Sequence, residues 1–265
     1  MTRAGRAGAF LWSGWAGLAG LSLLGAAWQA GHEAYGHFIL PAPVETLAAA
    51  IALAGSERFA TVAGETAVRA LTGFGIAAGI GAGLGIAAGY SFATLRAVRP
   101  LMTVLLGVPP IAWIVLALIW FGASGGTVVV TVVVAAAPIV FGAAAEGIAT
   151  RDRGLDDMAR VFGANAAQRF ATLSLRALAA HLFPALAVAL GTAIKVAVMA
   201  ELLTSTGGIG GALASARAQL DVVQAIAWVL VAVALLLLLE YALLQPLRAE
   251  LERWRRAAEP WGVRR

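Results

Sequence analysis

Long apolar runs are separated by short polar segments along this chain, and six such runs can be distinguished. Each approaches the roughly 20 residues that cross a bilayer as a helix. The runs lack the strict alternation of a half-buried strand, and backbone polar groups in hydrocarbon must be hydrogen-bonded within their own segment. The pattern therefore predicts an all-α membrane protein with six transmembrane helices. Their predicted ranges are 9–30, 63–90, 101–121, 127–149, 182–203 and 225–244.

The composition narrows the class of protein further. Of the 265 residues, 61% are hydrophobic and 12% are charged, and the mean hydropathy is +0.86. A soluble domain carries about 25% charged residues, so soluble and disordered classes are excluded and a lipid bilayer is the expected surrounding. The chain has no cysteine, which excludes disulfides, thiolate metal sites and a cysteine nucleophile.

The basic residues are divided unequally between the predicted loops. With a cytoplasmic N-terminus, 15 of the 19 Lys and Arg residues fall on the cytoplasmic side, against only Arg58 and Arg217 outside. This positive-inside asymmetry explains the charge of +5 without nucleic-acid binding. We expect both termini in the cytoplasm, one transmembrane domain over 1–246 and a basic cytoplasmic tail over 247–265.

The first apolar run could be either a secretory signal or a retained helix. Arg3 and Arg6 precede it, as in a signal, but the run exceeds the roughly 7–15 residues of a signal core and further spans follow. We therefore expect a retained helix.

The connection 150–181 is the one sizeable polar segment predicted on the cytoplasmic side besides the tail. Leu155, Met158, Ala159 and Phe162 recur at helical spacing, and Gly163 follows as a natural helix stop. The pattern predicts a short amphipathic helix, a glycine turn and a second helix, a shape suited to docking another protein.

Glycines repeat at every fourth position in the second predicted span. Such small residues let membrane helices approach closely, and no preceding strand supports a dinucleotide site. The two predicted packing series are Gly75, Gly79, Gly83 and Gly81, Gly85, Gly89.

Lys195 is the only lysine, and it is followed by Val196, so the chain contains no phosphate-binding loop of the Walker type. Lys195 lies mid-span, where a charge costs at least about 2.5–3.5 kcal/mol. It should face a water-filled path or a partner, with Glu201, Glu146, Glu240 and an anionic solute as candidates.

An intramembrane serine protease is a second hypothesis, because the segment 122–125 reads Gly-Ala-Ser-Gly. Ser124 would need a histidine within hydrogen-bond reach, whereas His181 is predicted at the opposite membrane face. His32 and His37 are five residues apart, which does not fit a zinc-binding helix. A third hypothesis is an ATP-independent secondary carrier.

Several segments together resemble a known family. The entry to the second span reads TAVRALTGF over 66–74, the third span reads PLMTVLLGVPPIAW over 100–113, and the coupling segment reads DMARVFGA over 157–164. Gly191 and Glu201 follow in the fifth span. From about Pro41 to Arg217, the chain resembles the permease subunit of binding-protein-dependent ABC importers of the nitrate, sulfonate and taurine type. It departs from that family in reading Asp-Met-Ala for Glu-Ala-Ala and in placing Lys195 where an apolar residue is usual.

This resemblance implies a type I ABC importer permease fold in a bacterial inner membrane. It also implies a homodimer, two ABC ATPase subunits and a periplasmic solute-binding protein, with ATP and Mg²⁺ bound by the ATPase and no cofactor in this chain. The chain would be a transporter subunit rather than an enzyme. The solute would be a small anion such as a sulfonate, taurine or nitrate, moved by alternating access. The residues implied in ATPase coupling are Asp156, Asp157, Met158, Ala159, Arg160, Gly163 and Ala164. Those implied in the translocation pathway are Lys195, Met199, Glu201, Pro109, Pro110 and Trp113.

Overall fold

The computed structural model describes the backbone of residues 3–244 and the side chains of residues 15 and 17–243. Helices α1 to α11 are Arg3–Tyr35, Pro43–Ala54, Glu57–Tyr90, Phe92–Gly107, Pro110–Phe121, Gly125–Ala149, Arg153–Val161, Ala166–Arg169, Leu175–Thr204, Gly208–Ala218 and Val222–Leu239. A π-helical turn, Phe170–Ser174, joins α8 to α9, and another, Glu240–Leu244, follows α11. The all-α prediction is confirmed over this range, and the predicted tail 247–265 lies outside it.

Four helical segments are long and apolar enough to cross a membrane. They are Glu57–Tyr90, Gly125–Ala149, Ala166–Thr204 and Val222–Leu243. These contain the predicted second, fourth, fifth and sixth spans, apart from the last residue of the sixth. The predicted first span lies in α1, which is not one of the four, so the count of six and the cytoplasmic termini stay predictions.

The predicted continuous third span, 101–121, is wrong. Helices α4 and α5 meet at an angle of 97° instead of forming one rod. Val108 adopts an extended backbone with ψ of 126°, and Pro109 follows with ψ of 141°. Because a proline ring clashes with a preceding helical residue and cannot donate a backbone hydrogen bond, the pair Pro109-Pro110 breaks the helix there. Counted together, α4 and α5 supply a fifth, broken span.

Helix α6 forms the centre of the bundle and packs between α3 and α9. Its inward positions are fully buried, among them Val128, Val132, Val140 and Ile148. Threonines on the same helix bond to backbone carbonyls, as Thr131 does to Thr127 at 2.7 Å, so they add no unpaired polar group to the interior.

The glycine packing prediction is confirmed for Gly81 and Gly85, while the other series meets no helix among the described residues. A methyl group added at Gly81 or Gly85 would lie 2.6 Å from backbone oxygens of α6, so the backbones touch there. A methyl group added at Gly75, Gly79 or Gly83 would meet no atom within 4 Å in the described part of the chain. The two series are offset by two residues, which rotates them by about 200° around a helix, and only one can face α6.

The helix, glycine turn and second helix predicted over 150–181 are present. Asp152 caps α7 by accepting a hydrogen bond from the Leu155 amide at 3.1 Å, and Gly163 has a φ of +80°. Asn165 and Gln168 then form a capping box at the start of α8. The second helix, α8, is not separate from the fifth span, because it continues through the π-helical turn into α9.

Candidate functional sites

Helix α7 carries polar and apolar residues on opposite faces, and its polar face is directed toward the bundle. Arg153, Asp156, Asp157 and Arg160 share one helix face and line a cavity of about 730 Å³. The apolar side chains are exposed on the other side. They are Leu155, Met158, Val161 and Phe162, with Val161 86% and Phe162 83% exposed.

The glycine turn after α7 fixes where the helix ends. The Gly163 amide donates to the Arg160 carbonyl at 3.1 Å, and the Ala164 amide donates to the Ala159 carbonyl at 2.9 Å. Nothing lies within 4 Å of a methyl group added at Gly163, so its left-handed φ, and not lack of space, calls for glycine. Asp156 and Arg169 lie 3.5 Å apart and tie α7 to α8.

The predicted coupling residues are therefore all on or next to α7, but they face different ways. Asp156, Asp157 and Arg160 line the cavity. Met158 is 52% exposed on the opposite face, while Ala159 and Ala164 are half-buried.

A second polar site lies at the end of α9, around the buried carboxylate of Glu201. The side chain of Glu201 is fully buried. Thr66 donates to it at 2.7 Å and Arg69 donates at 2.8 Å, both from α3. The Gly210 amide donates at 3.1 Å from α10. These donors compensate the cost of removing the carboxylate from water.

Arg69 connects this carboxylate to the loop between α9 and α10. Its second terminal nitrogen donates to Glu65 at 3.1 Å and to the Thr206 carbonyl at 3.0 Å. A methyl group at Gly208 would collide with the Glu201 carboxylate, and Gly208 has a φ of +68°. The glycine-rich sequence after α9 thus lets the chain pass close to Glu201 while donating to it.

Lys195 lies on the face of α9 that points away from the bundle. The stripe formed by Val188, Thr192, Lys195, Met199 and Leu203 is exposed except for the half-buried Thr192. The Thr192 hydroxyl donates a hydrogen bond to the Val188 carbonyl at 2.8 Å. Within residues 17–243, the Lys195 ammonium has no carboxylate within 4.0 Å. None of Glu201, Glu146 and Glu240 is therefore its ion-pair partner in this subunit.

The other residues predicted for the pathway do not form one cluster. Met199 shares the Lys195 stripe, whereas Glu201 points into the bundle. Pro109 and Pro110 are exposed at the bend between α4 and α5. Trp113 is half-buried, and its indole nitrogen is buried with no hydrogen-bond partner in the described part of the chain.

The serine protease hypothesis is not favoured. The Ser124 hydroxyl donates to the Phe121 carbonyl at 3.1 Å, closing the turn before α6. The histidines bond elsewhere: His32 to the Leu40 carbonyl, His37 to Glu45, and His181 to the Ala177 carbonyl. No group of three or more metal-ligating side chains occurs among the described residues.

Thr66 and Arg69 hold the carboxylate of Glu201, and the sequence did not identify them as its partners. One signal was present, since Arg69 is a charge within an apolar run and must find a partner inside a membrane. Arg69 and Glu201 are 132 residues apart in the sequence, so a local sequence pattern could not predict that they pair.

Comparison with known proteins identifies the family. Residues 75–254 match the model of the binding-protein-dependent transport system inner membrane component. A probable ABC transporter permease protein of Brucella abortus (strain 2308) is 27% identical over 225 residues, which is 85% of this chain and 90% of that protein. A nitrate import permease protein of Leptolyngbya laminosa is 30% identical over 143 residues, 54% of this chain and 51% of that one. With its several apolar spans, the chain is a multi-pass membrane protein and belongs to the family of binding-protein-dependent transport system inner membrane components, the permeases of ABC transporters.

Proposed function

We propose that the chain is the permease subunit of an importer in which α7 is the docking element for a separate ABC ATPase. The exposed apolar face of α7 is the observation that carries this proposal. Three large apolar side chains stand exposed on one face of a nine-residue helix, and a fourth, Phe162, follows directly after it. The charged residues of the helix line the cavity on the other side. A contiguous apolar patch of this kind marks an interaction site, and an amphipathic helix inserts such a face into a groove of its partner.

The connection from α7 into the membrane supports a role in energy coupling. Asp156 pairs with Arg169 at 3.5 Å, and α8 continues through the π-helical turn into α9. The helical segment Ala166–Thr204 is 39 residues long. A displacement of α7 by ATP-driven closure of the ATPase would therefore reach the span that carries Lys195 and Glu201. Tight α3–α6 packing would let the bundle move as a rigid unit during alternating access.

The complete importer would contain two copies of this permease, two ATPase subunits and a periplasmic binding protein. ATP and Mg²⁺ would be held by the ATPase, because this chain has no phosphate-binding loop. Both termini and α7 would face the cytoplasm, and α10 would face the side on which the binding protein delivers the solute.

The solute we propose is a small anion such as a sulfonate, taurine or nitrate. Lys195 supports this choice, because a lysine mid-span without a carboxylate partner in its own subunit would face an aqueous path or a bound anion. The stripe that carries Lys195 has no acidic residue. The nitrate import permease among the relatives agrees with an anionic solute.

Docking is tested by replacing Phe162 with aspartate and measuring how much ATPase co-purifies with the permease. A charge on the apolar face of α7 should reduce the ATPase bound per permease at least about tenfold, since hot-spot contacts of this kind contribute about 2 kcal/mol or more. Phe162→Leu is the matched control, because it keeps an apolar side chain there and should retain the ATPase. Equal co-purification of Phe162→Asp and Phe162→Leu would exclude this face as the docking surface.

A further inference from the structure

The cavity beneath α7 has two chemically different halves. It lies between α4, α6 and α7, beside the end of α3. One half is lined by apolar side chains of α4 and α6, namely Met102, Leu106, Pro138 and Phe141. The other is lined by the basic residues Arg99, Arg151, Arg153 and Arg160. With a volume of about 730 Å³, the cavity is amphipathic along its length.

The cavity is lined by four arginines and three acidic residues, and most of these arginines form no close ion pair among the described residues. Within the described range, Arg99, Arg153 and Arg160 have no carboxylate within 4.0 Å. Glu146, Asp156 and Asp157 also line the cavity, but Asp156 pairs with Arg169 and the other two form no ion pair within this distance. Three guanidinium groups are therefore available to an anion.

Arg151 is the best fixed of the four guanidinium groups. It lies 4.5 Å above the ring of Tyr90, whose hydroxyl bonds to Ser174 at 2.6 Å. One terminal nitrogen donates to the Ile148 carbonyl at 2.9 Å. The Nε atom of Arg151 is buried and has no partner in the described part of the chain. Such a pre-positioned planar donor set matches the oxygens of a phosphate.

We propose that this cavity binds an anionic phospholipid of the cytoplasmic leaflet. Its phosphate would contact Arg151 and the neighbouring guanidinium groups, and one acyl chain would occupy the apolar half between α4 and α6. A basic pocket between transmembrane helices next to a negatively charged leaflet favours anionic head groups. The bound lipid would connect the polar face of α7 to α4 and so set the position of the docking helix. The proposal needs the cytoplasmic placement of α7 but neither the ATPase nor a particular solute.

Lipid binding is tested on the full chain, delipidated in detergent, by native mass spectrometry during titration with phosphatidylglycerol or phosphatidylcholine. The double variant Arg99→Gln/Arg153→Gln should bind phosphatidylglycerol about thirtyfold more weakly than the unmodified chain, since two arginines that each contribute about 1 kcal/mol near an anionic surface together contribute about 2 kcal/mol. Arg96→Gln is the matched control, because Arg96 lies on α4 but does not line the cavity and should leave binding unchanged.

A second variant tests the acyl-chain half without touching a charge. Gly142 lines the cavity and has nothing within 4 Å of an added methyl group, so Gly142→Leu should fill the slot and lower phosphatidylglycerol binding without a packing clash. Gly83→Leu, at an equally open position outside the cavity, should have no effect.

Three results would overturn the proposal. One is equal retention of phosphatidylglycerol and phosphatidylcholine. Another is unchanged binding in both the arginine and the Gly142→Leu variants. The third is displacement of the lipid by millimolar inorganic phosphate alone, which would show that the site takes a free anion. None of these depends on whether the ATPase co-purifies, so failure here is separable from failure of the docking proposal.

Discussion

Glu201 shows how a single buried charge can organise one end of a membrane bundle. Its carboxylate takes hydrogen bonds from two residues of α3 and one amide of α10, so three elements meet at one side chain. Breaking a buried ion pair by removing one partner leaves an uncompensated charge and typically costs about 3–5 kcal/mol.

The replacement Glu201→Gln should destabilise the purified chain by less than this amount, because Arg69 loses its closest carboxylate but keeps Glu65 at 3.1 Å. The measurement is thermal unfolding in detergent, compared with Glu33→Gln, an exposed carboxylate bonded only to Gln29 among the described residues. The double variant Arg69→Met/Glu201→Met should be less destabilised than Glu201→Gln, since no buried charge remains unpaired. A loss in Glu201→Gln no larger than in Glu33→Gln would contradict the assigned role.

Among elements, the contact between α3 and α6 depends on which glycines face it. Added methyl groups at Gly81 and Gly85 would meet backbone atoms of α6, whereas one at Gly83 would meet nothing within 4 Å. Overpacking a close contact costs about 1–3 kcal/mol.

We therefore expect Gly85→Val to lower the unfolding temperature in detergent and Gly83→Val to leave it nearly unchanged. Both variants place the same β-branched side chain in α3, so helix propensity is matched and only packing differs. Equal unfolding temperatures for the two variants would refute the assigned register.

The sequence predicted some elements of the fold correctly and missed others. Hydropathy located α3, α6, α9 and α11 because each apolar run is longer than a soluble helix needs. It missed the break at Pro109, since a hydropathy average does not register backbone geometry. The helical spacing of apolar residues predicted α7 and its end at Gly163. The sequence could not tell which face of α7 lines the cavity, because that depends on the distant residues of α4 and α6 that form it.

At the scale of the whole molecule, the orientation in the membrane is the simplest expectation to test. The chain has no cysteine, so a single introduced thiol reports one position. Val161→Cys in α7 should react with an impermeant maleimide only after the membrane is opened, and Gln219→Cys, exposed after α10, should react in intact spheroplasts. The reverse order of labelling would place α7 outside, and the proposed docking of an ATPase would then be wrong.

Lys195 is the residue through which the proposed assembly would contact an anionic solute. Its stripe faces away from the subunit's own core, so two copies facing each other would bring two such ammonium groups to a shared path. Hydrogen bonds to a charged group contribute about 1.5–3 kcal/mol. Lys195→Met should therefore lower uptake of the anionic solute at least about tenfold in proteoliposomes that contain ATPase and binding protein.

The control Lys195→Arg keeps the charge and should retain most of the uptake. ATP hydrolysis stimulated by the binding protein distinguishes a pathway role from a structural one, because Lys195→Met should still be stimulated while transporting poorly. If uptake and preference among anions are both unchanged in Lys195→Met, then the lysine contacts no solute. Its charge would then be neutralised by a carboxylate of the second copy, and the selection of the solute would lie with the binding protein.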